Sequence, residues 1–168
     1  VTVLDDISLG VLKSEIHGLC MVPNAHYTLG ETAGFSRFMQ RKGVFDNGQL
    51  HYNSGVIFYD WRREDVRRLF ALWNQLCIDG APTMGGITDQ PYLSLAIEMQ
   101  GLNPYTLSPS FNYRAFGNWA SELTSGPVRV WHSYRPVPEN ATSLPVGFQS
   151  RYEPAAGLFV PARRLPGT

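Results

Sequence analysis

The chain has 168 residues, 43% of them hydrophobic and 17% charged, which is enough for one domain with a real core. Lys and Arg number 14 and Asp and Glu number 14, so the net charge is zero and the basic excess of a nucleic-acid binder is missing. No run reaches the ~18 apolar residues of a membrane-spanning helix, and no signal peptide is visible. The expected location is cytoplasmic or peripheral to a membrane, though neither absence by itself fixes a compartment.

Val1–Leu4 reads as the tail of a buried strand. The chain starts without Met at what reads as mid-strand, so a fragment lacking its front half is expected. Asp5-Asp6-Ile7-Ser8 reads as a turn or a helix entry. A strand is predicted over 17–23, bounded by Pro23, and a loop over 24–34. One or two helical turns follow over 35–40, ending by Gly43.

The segment 51–59 reads as the next strand, with Val56–Tyr59 as its core half. Its middle, Asn53-Ser54-Gly55, is small and polar, and glycine inside a strand marks a bulge or a close approach. Asp60 is the predicted N-cap of a helix from Trp61 to about Ile78, stopping before Gly80. Val66, Leu69, Phe70, Trp73, Leu76 and Cys77 recur at the spacing of one buried helical face. Arg62, Arg63, Arg67 and Arg68 lie off that stripe among Glu64 and Asp65, as on a solvated face.

Residues 81–88 read as a loop, and Thr88 or Asp89 as the cap of a second helix with Pro91 in its first turn and Gly101 at its end. Short strands are predicted over 104–109 and 127–133, and beyond Pro136 an extended or partly disordered tail rich in Pro, Gly, Ala and Ser. This divides the chain into a domain over 1–136 and an extension over 137–168. Alternating strands and helices indicate an α/β fold, a mixed sheet flanked by helices. Cys20 and Cys77 sit in apolar segments outside any CxxC pair and read as buried free thiols.

Ligands of such sheets bind at the carboxyl ends of strands. Asn53-Ser54-Gly55, Asp89-Gln90 and His132 are the polar groups at those places, each with a structural alternative: a turn, a helix cap and a core histidine. His17 and His26 belong to no motif, and His51 reads as a packing or surface residue. Trp131 reads as core, and Trp119 as a residue of an acceptor site.

Taken in order, Val3-Leu4-Asp5-Asp6-Ile7-Ser8, Asn53-Ser54-Gly55-Val56, Asp89-Gln90, Phe111-Asn112 and His132 at a strand end resemble the C-terminal part of a nucleotide-sugar glycosyltransferase of the GT-A fold. The likeness is to glycosyltransferase family 8, which holds galactosyl-, glucosyl- and glycogenin-type enzymes, and spans roughly residues 1–136. It places a D-x-D metal motif just upstream of Val1. The family's ending H-x-x-G-x-x-K-P-W reads HSYRPVP here, leaving Arg135 as the nearby cation.

The resemblance implies a hexosyltransferase that retains anomeric configuration. Its donor is a nucleotide sugar, UDP-linked above all, and its acceptor a glycan, lipid or protein. It also implies Mn²⁺ or Mg²⁺, held by the upstream carboxylates and His132. Asp89 and Gln90 take catalytic roles, at the sugar hydroxyls and near the anomeric carbon. Asn53, Ser54, Gly55, Asn112 and Arg135 bind substrate. A chain without the D-x-D segment is expected to be inactive alone. The competing readings are a GT-A-like binding domain that has lost catalysis, and a nucleotidyltransferase, which would need an N-terminal Gly-rich loop not seen here.

Overall fold

Strands and helices alternate along the chain. The structure, a computed structural model, describes residues 1–28, 34–45, 48–84, 89–115 and 123–162. In chain order these form β1 (Thr2–Val3), α1 (Ser8–His17), β2 (Leu19–Thr28), α2 (Phe35–Arg41), β3 (Leu50–Tyr59), α3 (Glu64–Met84), α4 (Asp89–Met99) and β4 (Tyr105–Thr106). A 3-10 turn (Pro109–Asn112), β5 (Tyr113–Arg114), β6 (Leu123–Thr124), β7 (Val130–His132), β8 (Ser150–Glu153) and β9 (Leu158–Pro161) follow. The fold is α/β with mixed sheets. Instead of one sheet, the described residues form three, ordered β1-β7-β5, β3-β2-β4 and β6-β8-β9. The chain divides into two compact units, Val11–Thr106 and Val1–Gly10 with Leu107–Thr168.

In the Val11–Thr106 unit, β2 is central, antiparallel to β3 and parallel to β4. Pro23 does not end β2, as the sequence suggests. It sits where the register with β3 shifts, a place in a strand where a missing N–H is tolerated. β3 lies at the sheet edge and α4 covers it: Ser94 Oγ accepts the Tyr52 N–H at 2.9 Å. This inverts the expected burial of β3. His51, Tyr52 and Asn53 are buried, whereas Val56, Ile57 and Phe58 are half-buried and Tyr59 is exposed. Met21, Phe35, Phe38, Tyr52, Leu69, Leu76 and Tyr92 belong to this unit's core.

The α3 stripe packs as its spacing predicts: Val66, Leu69 and Leu76 are buried, and Phe70, Trp73 and Cys77 half-buried. The helix begins at Glu64, so Asp60 is not its N-cap. Asp60 forms a turn instead, Oδ1 accepting the Arg62 N–H at 3.0 Å while the Arg62 guanidinium forks onto both carboxylate oxygens. These hydrogen bonds from Arg62 hold the Asp60 carboxyl below its ordinary range. The arginines are solvated surface groups, with Arg63 paired to Asp65 and Arg68 to Glu64.

The helix also runs past its expected stop, through Gly80 and Pro82. Gly80 is there for space. A Cβ on it would fall 2.1 Å from the Tyr92 hydroxyl, and Tyr92 is 1% exposed. Gly80→Ala therefore forces a core ring to move and is expected to destabilise by about 1–3 kcal/mol, read as a lower urea midpoint at unchanged slope. No change in midpoint would contradict this packing.

In the other unit, β7 lies between β1, antiparallel, and β5, parallel. β1 is exposed along its length, not buried as expected. The segment after Pro136 is no extended tail within the described residues. The β8–β9 hairpin brings Tyr152 and Phe159 into a core with Tyr113, Trp131 and Val128. Asn140 anchors that hairpin, donating from Nδ2 to the Phe159 carbonyl at 2.8 Å and accepting the Phe159 N–H on Oδ1 at 3.0 Å. Among the described residues no helix is long and apolar enough to cross a membrane. Cys20 is buried and Cys77 half-buried, both as free thiols, and burial pushes the Cys20 thiol up to about 11.

Candidate functional site

The edge position of β3 and the start of α4 bring two distant motifs together. Asn53 Nδ2 donates to Gln90 Oε1 at 2.7 Å, and Ser54 Oγ donates to Asp89 Oδ1 at 3.0 Å. Asn53 is 3% exposed, and its Oδ1 accepts the Gly55 N–H at 2.8 Å, bending the local backbone back on its own side chain. The Trp73 indole donates to the Asp89 carbonyl at 3.0 Å, so α3 fixes the first turn of α4. Sequence spacing does not flag Trp73 for this role; it reads there only as part of the apolar stripe.

Asp89 opens α4, with Pro91 in the first turn as expected. The Asp89 carboxylate lies on Ser54, across the site. Asp89 and Gly55 are exposed, and Gln90 and Ser54 half-buried. The result is a small polar patch: a carboxylate bonded to a hydroxyl, and two amides bonded to each other, with the exposed Gly55 beside them. Such a set offers hydrogen-bond donors and acceptors side by side.

Asn112 and His132 belong to the other unit. The 3-10 turn ends at Asn112, which is fully buried, and β7 ends at His132. His132 Nδ1 lies 2.9 Å from Asn112 Oδ1. An amide oxygen only accepts, so Nδ1 carries the proton and the ring's lone pair is on Nε2. Burial, and beside it the Arg114 guanidinium, hold the imidazole below its ordinary pKa, which favours the neutral ring at pH 7.

The sign of the pH dependence follows from that depression. Below about pH 6.5 an unfolded histidine takes up a proton that the folded ring resists. The contribution of His132 to stability is therefore full above about 6.5 and is lost as pH falls toward the lower folded pKa. An NMR titration of its ring protons is expected to give a midpoint below 6.5, and a midpoint above it would contradict the geometry.

The neutral ring with its proton on Nδ1 suits one place in the ligand set of a divalent cation. Among the described residues, however, no three His, Cys, Asp or Glu side chains come together to hold an ion. His132 alone is not a complete site. Arg135 is tied down by its backbone, its carbonyl accepting the Trp131 indole N–H at 2.9 Å and its N–H donating to Ser133 Oγ at 3.0 Å. Its buried Nε has no hydrogen-bond acceptor among the described residues.

The predicted residues thus assemble as two groups: Asn53, Ser54, Gly55, Asp89 and Gln90 in one unit, and Asn112, His132 and Arg135 in the other. Trp119 lies outside the described residues, as does Thr88. Comparison with protein-family models, with curated proteins and with solved structures returns no match.

Proposed function

We propose that this chain carries the donor-sugar region of a hexosyltransferase of the GT-A type, similar to glycosyltransferase family 8. It would transfer a sugar from a nucleotide diphosphate, UDP above all, to a glycan, lipid or protein acceptor. The observation that carries the reading is the pairing of two motifs far apart in sequence: Asn53 with Gln90 and Ser54 with Asp89. In the resemblance these same motifs line one sugar pocket, and here they share one patch.

In this reading the Asp89 carboxylate accepts hydrogen bonds from donor-sugar hydroxyls, with Ser54 fixing its orientation. Gln90, steadied by Asn53, presents its amide near the anomeric carbon, where it would stabilise an oxocarbenium-like transition state. The transfer would retain the anomeric configuration of the sugar. A bound Mn²⁺ or Mg²⁺ would neutralise charge on the departing diphosphate, with His132 as one ligand. The remaining ligands would be the D-x-D carboxylates of the resemblance. The register of β1 on β7 supports that placement. Thr2 lies opposite Trp131 and Val3 opposite Val130, so the next step sets Val1 beside His132. Arg135, whose buried Nε has no acceptor among the described residues, suits a phosphate oxygen.

The test is hydrolysis of a panel of UDP-sugars by the protein in its natural full length, with Mn²⁺ and again with EDTA. Turnover that stops with EDTA and returns with Mn²⁺ is expected. Nucleotide-sugar binding without turnover would assign a non-catalytic binding domain, and the absence of both would overturn the reading.

A further inference from the structure

β3 lies at the edge of its sheet, so the N–H groups on its outer side have no strand to pair with. Tyr52 is buried, and its N–H is taken by one side chain of α4, the Ser94 hydroxyl, at 2.9 Å. The same hydroxyl donates to the Gln90 carbonyl at 3.1 Å. The next two residues of β3 follow in step, Asn53 bonding the Gln90 side chain and Ser54 the Asp89 carboxylate. Three successive strand residues thus meet Ser94, Gln90 and Asp89, all within the Val11–Thr106 unit. Two of these contacts join side chain to side chain, and each has rotamer freedom to lose. The one through Ser94 ties a strand N–H to a helix carbonyl, backbone to backbone.

We propose that Ser94 is a positioning residue, which fixes α4 on the strand edge so that the Gln90 amide holds one orientation and thereby sets the rate of sugar transfer. The inference rests on the glycosyltransferase reading above. Ser94 is 2% exposed and acts through Gln90 instead of touching substrate. A serine bonded back to the carbonyl four residues before it is slightly unfavourable to a helix by itself. Its neighbours Leu93, Leu95 and Ala96 are all core residues. What the hydroxyl adds at this place is the acceptor for Tyr52, and with it the register that puts Asn53 opposite Gln90.

The test compares Ser94→Ala with Ser94→Thr, which keeps the hydroxyl, and with Ile97→Val, which trims the buried face of the same helix without touching the contact. Ser94→Ala is expected to speed hydrogen exchange at the Tyr52 amide and to shift the side-chain NH₂ signals of Asn53 and Gln90 in NMR spectra. In the full-length protein it is expected to lower kcat for UDP-sugar by about tenfold or more with KM little changed. Ser94→Thr is expected to recover part of each loss, and Ile97→Val to leave the signals and kcat as they are. Unmoved Asn53 and Gln90 signals in Ser94→Ala overturn the proposal. Equal effects of Ile97→Val overturn it too, since Ser94 would then be ordinary core. An unchanged kcat in Ser94→Ala, with the parent active, does the same. If the parent turns over no UDP-sugar, the transferase reading fails, and the NMR comparison alone decides whether Ser94 positions the pair.

Discussion

Trp131→Ala is expected to cost the unit formed by Val1–Gly10 and Leu107–Thr168 about 3–5 kcal/mol, the range for removing a fully buried large aromatic side chain. Trp131 is 1% exposed. Its ring stacks on Tyr113 at 6.0 Å and meets Tyr152 edge-on at 5.2 Å and Phe159 at 6.2 Å. Its indole N–H also donates to the Arg135 carbonyl. The substitution therefore opens a cavity among three rings and leaves a carbonyl without its donor. Its position in the middle strand of β1-β7-β5 spreads the damage to both neighbours. Urea unfolding followed by circular dichroism measures the cost, with Trp131→Phe as the milder companion. A loss below about 1 kcal/mol would show that the site collapses around the smaller residue. The candidate ligand His132 follows directly in β7, so the loss of Trp131 is also expected to loosen the His132–Asn112 hydrogen bond.

Asp89→Asn is expected to lower sugar transfer by about a hundredfold or more while leaving the fold intact, the scale seen when one oriented group at a reacting centre is removed. The contrast in the two effects decides between roles. A residue that only starts a helix loses a few tenths to about 2 kcal/mol of stability on substitution, and Asn starts helices as well as Asp does. The substituted side chain would still accept the Ser54 hydroxyl on its amide oxygen, so the local geometry survives. Its missing charge, and an NH₂ where an acceptor oxygen stood, would fail the sugar hydroxyls. Turnover of UDP-sugar by the full-length protein and its melting curve, measured together, test this. Unchanged turnover would return Asp89 to the role of a helix start.

Several parts of the fold are legible in the residues alone. The α3 stripe from Val66 to Cys77 is set by spacing, since a 3.6-residue period has one face to bury. The strand through Asn53, the short helix α2 and the start of α4 with its Pro91 follow from local propensity and position rules. The helix α1 is legible only as an entry. Leu9, Val11, Leu12 and Ile16 are all exposed, and Gly10 interrupts them, so no buried stripe announces it. The β8–β9 hairpin hides in a segment whose Pro and Gly content resembles a linker. Its ordering comes from Tyr152 and Phe159 meeting Trp131 and Tyr113, partners remote in sequence.

Residue identity alone says which groups are chemically equipped: the amides Asn53, Gln90 and Asn112, the carboxylate Asp89, the imidazole His132 and the guanidinium Arg135. The alternation of strand and helix is written there too, because local periodicity reports which face is apolar. How these groups pair is a matter of packing between elements. Gly80 shows why: its sequence signal says helix end, yet the ring of Tyr92, twelve residues on, needs the space its missing side chain leaves. β3 shows it again, since α4 buries the polar half that the pattern would leave open. The bonds of Asn53 to Gln90 and of Ser54 to Asp89 exist because α4 lies along an exposed sheet edge. The placement of Asn112 against His132 likewise depends on a turn meeting a strand end. Such contacts form where close-packed surfaces of different elements meet, and a residue's own neighbours in the chain carry no record of them.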